Sequence, residues 1–187
     1  MKFNTKKKIK IENKYIFSAL IAAIVICFLF LIFSSPSNES QEAMDELADL
    51  TTSIHDNFQK KPDYWGLNTK FVIDNKLVPD SMIKDDKIIS VLGNEIEVGA
   101  DENASLSMPG TQSFSIIYKN ISRKDCVILS SYHLDYAEKI GLLNIKIKNT
   151  HETKEFSWGG DNKLPISVAE AKNNCLNSEN SIIWTFK

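Results

Sequence analysis

The longest uninterrupted apolar stretch of the chain runs from Ile16 to Phe33 and holds 18 residues without charge, Gly or Pro. As an α-helix it spans roughly 27 Å, close to the thickness of a bilayer core. It exceeds the apolar region of a signal peptide, about 7–15 residues, and no A-x-A cleavage site follows. The pattern predicts a transmembrane helix over 15–33, with a cleaved signal peptide as the alternative. A lipoprotein signal at Cys27 is disfavoured because Ile26, a large residue, precedes it.

An amphipathic segment follows a short polar stretch at 34–40, SSPSNES, which we interpret as a hinge. Over 41–61 apolar residues recur at spacings of three and four, which places an apolar stripe along one face of a helix. We expect this stripe to dock on the sheet of the same domain. The residues of the predicted core-packing face are Leu47, Leu50, Ile54 and Phe58.

Apolar runs in the remainder predict several strands. The runs at 87–92 and 95–99 read as a hairpin around Gly93-Asn94, since Gly in the first position suits a type II′ turn. Further strands are predicted at 114–118, 142–148 and 151–158, and the terminal IIWTFK places Ile182, Trp184 and Phe186 on one face. Short helices are predicted at 69–75, 126–141 and 165–174, the last with Val168, Ala171 and Cys175 on one face.

Together these elements predict an α+β fold. A long N-terminal helix, made of a membrane part and an amphipathic part, packs on an antiparallel sheet. The chain of 187 residues, 43% hydrophobic, is long enough for one domain with a core and too short for two. We assign that extracytoplasmic domain to residues 41–187.

Charge is divided unevenly about the apolar run. Residues 1–14 hold six Lys and one acid, Glu12, whereas the remainder carries 16 Lys plus Arg against 23 acids. By the positive-inside rule the basic tail 1–14 stays in the cytoplasm and the remainder is translocated. The net charge of −2 argues against a strongly basic nucleic-acid binder, so no nucleic-acid partner is expected.

Cysteine use fits an exported domain. Cys27 lies in the apolar run. The translocated part therefore contains two cysteines, Cys126 and Cys175, which is an even number. Two such cysteines usually pair in an oxidising compartment. No CxxC or Cys/His spacing is present, which argues against zinc and thioredoxin-type chemistry.

Candidate catalytic chemistry is sparse. The three histidines, His55, His133 and His151, have no metal-ligand spacing to one another or to Cys. His133 follows Cys126 by two helical turns, but a Cys-His nucleophile would need a free thiol. No G-x-S-x-G, HExxH, Walker or G-x-G-x-x-G motif occurs. We therefore predict no catalytic, cofactor-binding or metal-binding residues and no enzymatic activity.

The segment 47–186 contains a series of short motifs in a definite order. They are the amphipathic helix, Tyr64-x-Gly66-Leu67, Val72-Ile73, Leu77-Val78-Pro79-x-x-Met82, Phe114-x-Ile116-x-Tyr118-x-Asn120-Ile121, Cys126-x-x-Leu129 and Ser167-x-Ala169-x-Ala171-x-x-x-Cys175. In this order and spacing the chain resembles the globular part of type IVb pilins, the group of the toxin-coregulated, bundle-forming and conjugative-plasmid pilins.

The resemblance implies a structural subunit of a type IV pilus, or of a related secretion or conjugation filament, with cell adhesion among its roles. Its implied partners are other pilin subunits, met through the N-terminal helix, the bacterial inner membrane and the pilus assembly machinery. It implies a single-pass protein with its domain in the periplasm, and later in an extracellular pilus. It also implies that a Cys126–Cys175 disulfide bounds the variable C-terminal region of the family.

The N-terminus departs from the family pattern at two positions. A prepilin has Gly before the apolar run and Glu at its fifth position, where this chain has Lys14 and, counted from Tyr15, Ala19. The departure favours a minor or atypical pilin. The alternative function is a membrane-anchored extracytoplasmic binding or adaptor module with a pilin-like fold.

Overall fold

The computed structural model describes residues 38–100, 112–132, 140–176 and 179–187. The predicted basic tail, the predicted membrane helix and residues 34–37 of the predicted hinge lie outside the described residues. Within the described part, no helix combines the length and apolar character needed to cross a membrane.

Helix α1 (Asn38–Phe58) is the longest helix of the described chain. Its buried residues recur at helical spacing and face the sheet, so the predicted stripe forms one continuous packing face. The helix includes residues 38–40, which were predicted to belong to the hinge. These residues are helical because their turn packs on the domain: Ser40 is buried and donates a hydrogen bond to Asp125.

Within the described residues, seven antiparallel strands form one sheet in the order β1-β2-β3-β4-β7-β5-β6. Strand β7 lies inside the sheet, between β4 and β5, so it joins the β1–β4 part of the sheet to the β5–β6 hairpin. The predicted α+β class is confirmed. The strands are β1 (Ile83–Lys84), β2 (Lys87–Ile89), β3 (Glu95–Ala100), β4 (Phe114–Ile121), β5 (Leu142–Lys148), β6 (Thr153–Ser157) and β7 (Asn180–Phe186).

One face of the sheet is apolar and the other is charged. Period-two alternation places Ile116 and Tyr118 of β4 beside Trp184 and Ile182 of β7, all fully buried beneath α1. The opposite face carries cross-strand ion pairs instead. These pairs are Lys87–Glu95, Lys119–Glu97 and Lys146–Glu155.

The β2–β3 hairpin is present, but its predicted turn was wrong. Gly93 donates its N–H to the carbonyl of Ser90, so Val91 and Leu92 are the central turn residues. Gly93 follows them with φ +77°, a left-handed conformation that costs Gly little. Strand pairing stops at Ile89 and Glu95, and the loop is longer than the predicted two residues.

A second hairpin, between β1 and β2, was not predicted. Lys84 pairs with Lys87, which leaves only Asp85 and Asp86 in the turn. Their φ angles of 50° and 58° fit a type I′ turn, the two-residue turn that matches strand twist. Asp tolerates this conformation, so two Asp residues can form this tight turn.

The described residues also form three short α-helices: α2 (Thr69–Asp74), α3 (Arg123–Ser130) and α4 (Val168–Asn174). The predicted helix over 126–141 was too long, because α3 ends at Ser130. There the hydroxyls of Ser130 and Ser131 both donate to the carbonyl of Val127, which competes with continuation of the helix. Residues 133–139 of that prediction lie outside the described residues.

Helix α4 begins later than predicted. The Ser167 hydroxyl accepts from the N–H of Glu170, and the Glu170 carboxylate accepts from the N–H of Ser167, which makes a full capping box. Pro165 therefore precedes the helix. The prediction that Val168 shares the buried face was wrong, since its side chain is 53% exposed while Ala171 and Cys175 are fully buried.

Candidate functional site

The face of α1 that packs on the sheet is the first candidate functional surface. Leu47, Leu50, Ile54 and Phe58 are all buried in the core, together with Met44 and Ala43. Tyr118 donates its hydroxyl to the carbonyl of Ala43 at 3.1 Å and so fixes β4 to α1. The helix is thus held by apolar contact along its length and by hydrogen bonds to specific elements.

The disulfide-bounded segment is the second candidate surface. Cys126 of α3 and Cys175 at the end of α4 are fully buried and joined by a disulfide, with their Cα atoms 5.9 Å apart. Arg123 reinforces this contact by donating to the carbonyl of Lys172 at 3.2 Å. The two helices are separated by 49 residues of sequence between the cysteines, yet they pack directly on one another.

The two surfaces meet at the first turns of α1. Ser40 donates its hydroxyl to Asp125 at 3.3 Å, and Tyr132 donates to the side-chain oxygen of Gln41 at 2.7 Å. Asp125 lies in α3 directly before Cys126, and Tyr132 lies within the disulfide-bounded segment just beyond α3. The disulfide therefore stabilises the part of the domain that orients the start of α1.

Glu46 links the middle of α1 to the β2–β3 loop. The N–H of Val91 donates to both carboxylate oxygens at 3.1 Å. Burial raises the pKa of the Glu46 carboxyl, and the nearby Glu42 raises it further, while the Val91 hydrogen bond opposes them. Sequence reasoning missed this contact because the residues lie 45 apart with no local signal.

Aromatic rings surround the end of α1. The Tyr64 ring packs 4.7 Å from Phe114 and 5.3 Å from Phe58, centroid to centroid. The Tyr64 hydroxyl lies 3.3 Å from His55 Nδ1. Burial lowers the pKa of the His55 imidazole, with the backbone of Ile140 and the charge of Asp56 acting in the opposite direction.

The packing face of α1, the disulfide and the hydrogen bonds described above hold the helices and the sheet in fixed positions. Among the described residues, no group of three or more His, Cys, Asp or Glu side chains is placed to hold a metal ion. The sulfur of Cys126 is bonded to Cys175, so the predicted precondition for a Cys-His nucleophile, a free thiol, is not met. His133 lies outside the described residues, and His151 is exposed in the loop before β6.

A known protein family accounts for most of this chain. The family model described as bundlin matches residues 33–187. The chain belongs to the bundlin family. This assignment confirms the resemblance to type IVb pilins that the sequence motifs indicated.

Two curated proteins are similar to this bundlin-family chain over most of both lengths. Each is the "Major structural subunit of bundle-forming pilus", one from Escherichia coli O111:H- and one from Escherichia coli O127:H6 (strain E2348/69 / EPEC). Each is 25% identical over 170 residues, which covers 87% of this chain and 84% of the relative.

Solved structures share the fold at lower sequence identity. TcpA, a type IV pilin from Vibrio cholerae El Tor biotype, aligns with a TM-score of 0.54 and 10% identity, over 81% of this chain and all of that one. The type IV b pilin from Salmonella typhi aligns with a TM-score of 0.50 and 16% identity, over 76% of this chain and 97% of that one. The bundlin-family chain therefore has the pilin fold.

Proposed function

We propose that the chain is a structural subunit of a type IVb pilus. The observation that carries the proposal is the bundlin match over residues 33–187, combined with relatives that are named as major structural subunits of a pilus. The pilin fold supports it independently. No catalytic activity is part of the proposal.

The proposed topology follows from the sequence outside the described residues. Residues 1–14 lie in the cytoplasm, 15–33 cross the inner membrane and 34–37 lead into α1 of a periplasmic domain. Before assembly the apolar helix holds the subunit in the membrane. After assembly the same surface is buried against the N-terminal helices of other subunits.

The packing of α1 supports this role physically. A subunit drawn out of a membrane by its N-terminal helix must keep that helix fixed to its domain. Here apolar contact with the sheet, the Tyr118 hydrogen bond and the contacts of Ser40 and Gln41 act together along the helix. The disulfide suits an exported domain because it constrains the unfolded chain in an oxidising compartment.

Recovery of the chain in sheared surface filaments tests the subunit role. We expect the protein in the filament fraction of the native cells, identified by mass spectrometry of its tryptic peptides. A chain that stays entirely in the membrane fraction, while filaments of other subunits are recovered, would contradict the proposal and favour the adaptor module.

The mature N-terminus tests the form of the subunit. Cleavage just before Tyr15 with N-methylation is expected of a processed subunit, despite Lys14 and Ala19 at the family's Gly and Glu positions. An intact Met1 in purified filaments would instead identify an unprocessed, atypical subunit. Intact-mass measurement of the filament protein distinguishes the two forms.

A further inference from the structure

We draw no further inference here: the strongest candidate, the exposed indole of Trp65 at the tight turn after α1 with the depression beside it, carries nothing, because nothing in the described part of the structure shows what covers the indole, and the mixed cationic, acidic and aromatic lining of the depression fits no single class of ligand.

Discussion

Tyr118 donates its hydroxyl to the main-chain carbonyl of Ala43 at 3.1 Å, from the centre of the sheet to the first half of α1. Both residues are fully buried, and the Tyr118 ring packs edge-on against Trp184 at 5.2 Å. Burial raises the pKa of the Tyr118 phenol far above its usual value, so the group remains a donor. A polar contact in the middle of the core thereby fixes the position of the helix on the sheet.

We expect Tyr118→Phe to lower the free energy of unfolding by about 1 kcal/mol, because it removes one buried hydrogen bond and keeps the ring. Chemical denaturation of the purified chain measures the change. Tyr132→Phe is the matched control, since it removes a hydrogen bond from a half-buried hydroxyl to Gln41 and should cost less. A larger loss for Tyr132→Phe would contradict this account of the helix contact.

Removal of the disulfide should destabilise the domain more than the loss of any one of these hydrogen bonds. Cys126 and Cys175 close a loop of 49 residues, worth about 4 kcal/mol by loop-closure entropy. We expect Cys126→Ser to lower the steady-state level of the protein in an oxidising compartment and to loosen residues 40–45, measured by hydrogen exchange. Cys27→Ser should change neither quantity. Free thiols at both Cys126 and Cys175 on a non-reducing gel would contradict the pairing.

We expect the contribution of Glu46 to the free energy of unfolding to fall as pH rises. Its pKa in the folded protein is raised above the ordinary 4.5, so folding binds its proton more tightly than the unfolded chain does. The associated stability is present below about pH 4.5 and is lost as pH rises through the raised pKa. We expect Glu46→Gln, which keeps an acceptor for Val91, to gain stability relative to the wild type over that window.

Denaturation curves at several pH values from about 4 upward measure the effect of Glu46. Glu46→Ala serves as the comparison, because it also leaves the half-buried N–H of Val91 without its acceptor and should be destabilising throughout. Parallel pH profiles for the wild type and Glu46→Gln would show that the carboxyl does not titrate differently in the folded state.

We expect His55 to have the opposite effect, because it makes the free energy of unfolding rise as pH rises. Its pKa is lowered below the ordinary 6.5, so the unfolded chain binds the proton more tightly than the folded chain. The contribution of His55 to stability is fully present above about pH 6.5 and is lost as pH falls towards the lowered pKa. Titration of the imidazole by NMR checks this directly, and a midpoint at or above the ordinary 6.5 would contradict it.

Local patterns in the sequence were sufficient for most elements of the fold. The stripe through Leu47 and Ile54 predicted the packing face of α1, because helical spacing alone places those side chains together. The alternation in IIWTFK likewise predicted the buried face of β7. A capping box, Ser167-x-x-Glu170, was also present in the sequence and would have placed the start of α4 correctly.

The sequence by itself determined the charge split, the apolar run, the two cysteines outside that run and the helix and strand periodicities, because each is a local property of the chain. Only the tertiary structure decided that β7 lies between β4 and β5, that the N–H of Val91 donates to Glu46, and that Ser40 donates to Asp125. These relationships join distant residues, and their energies arise from burial and geometry that no short window of sequence contains.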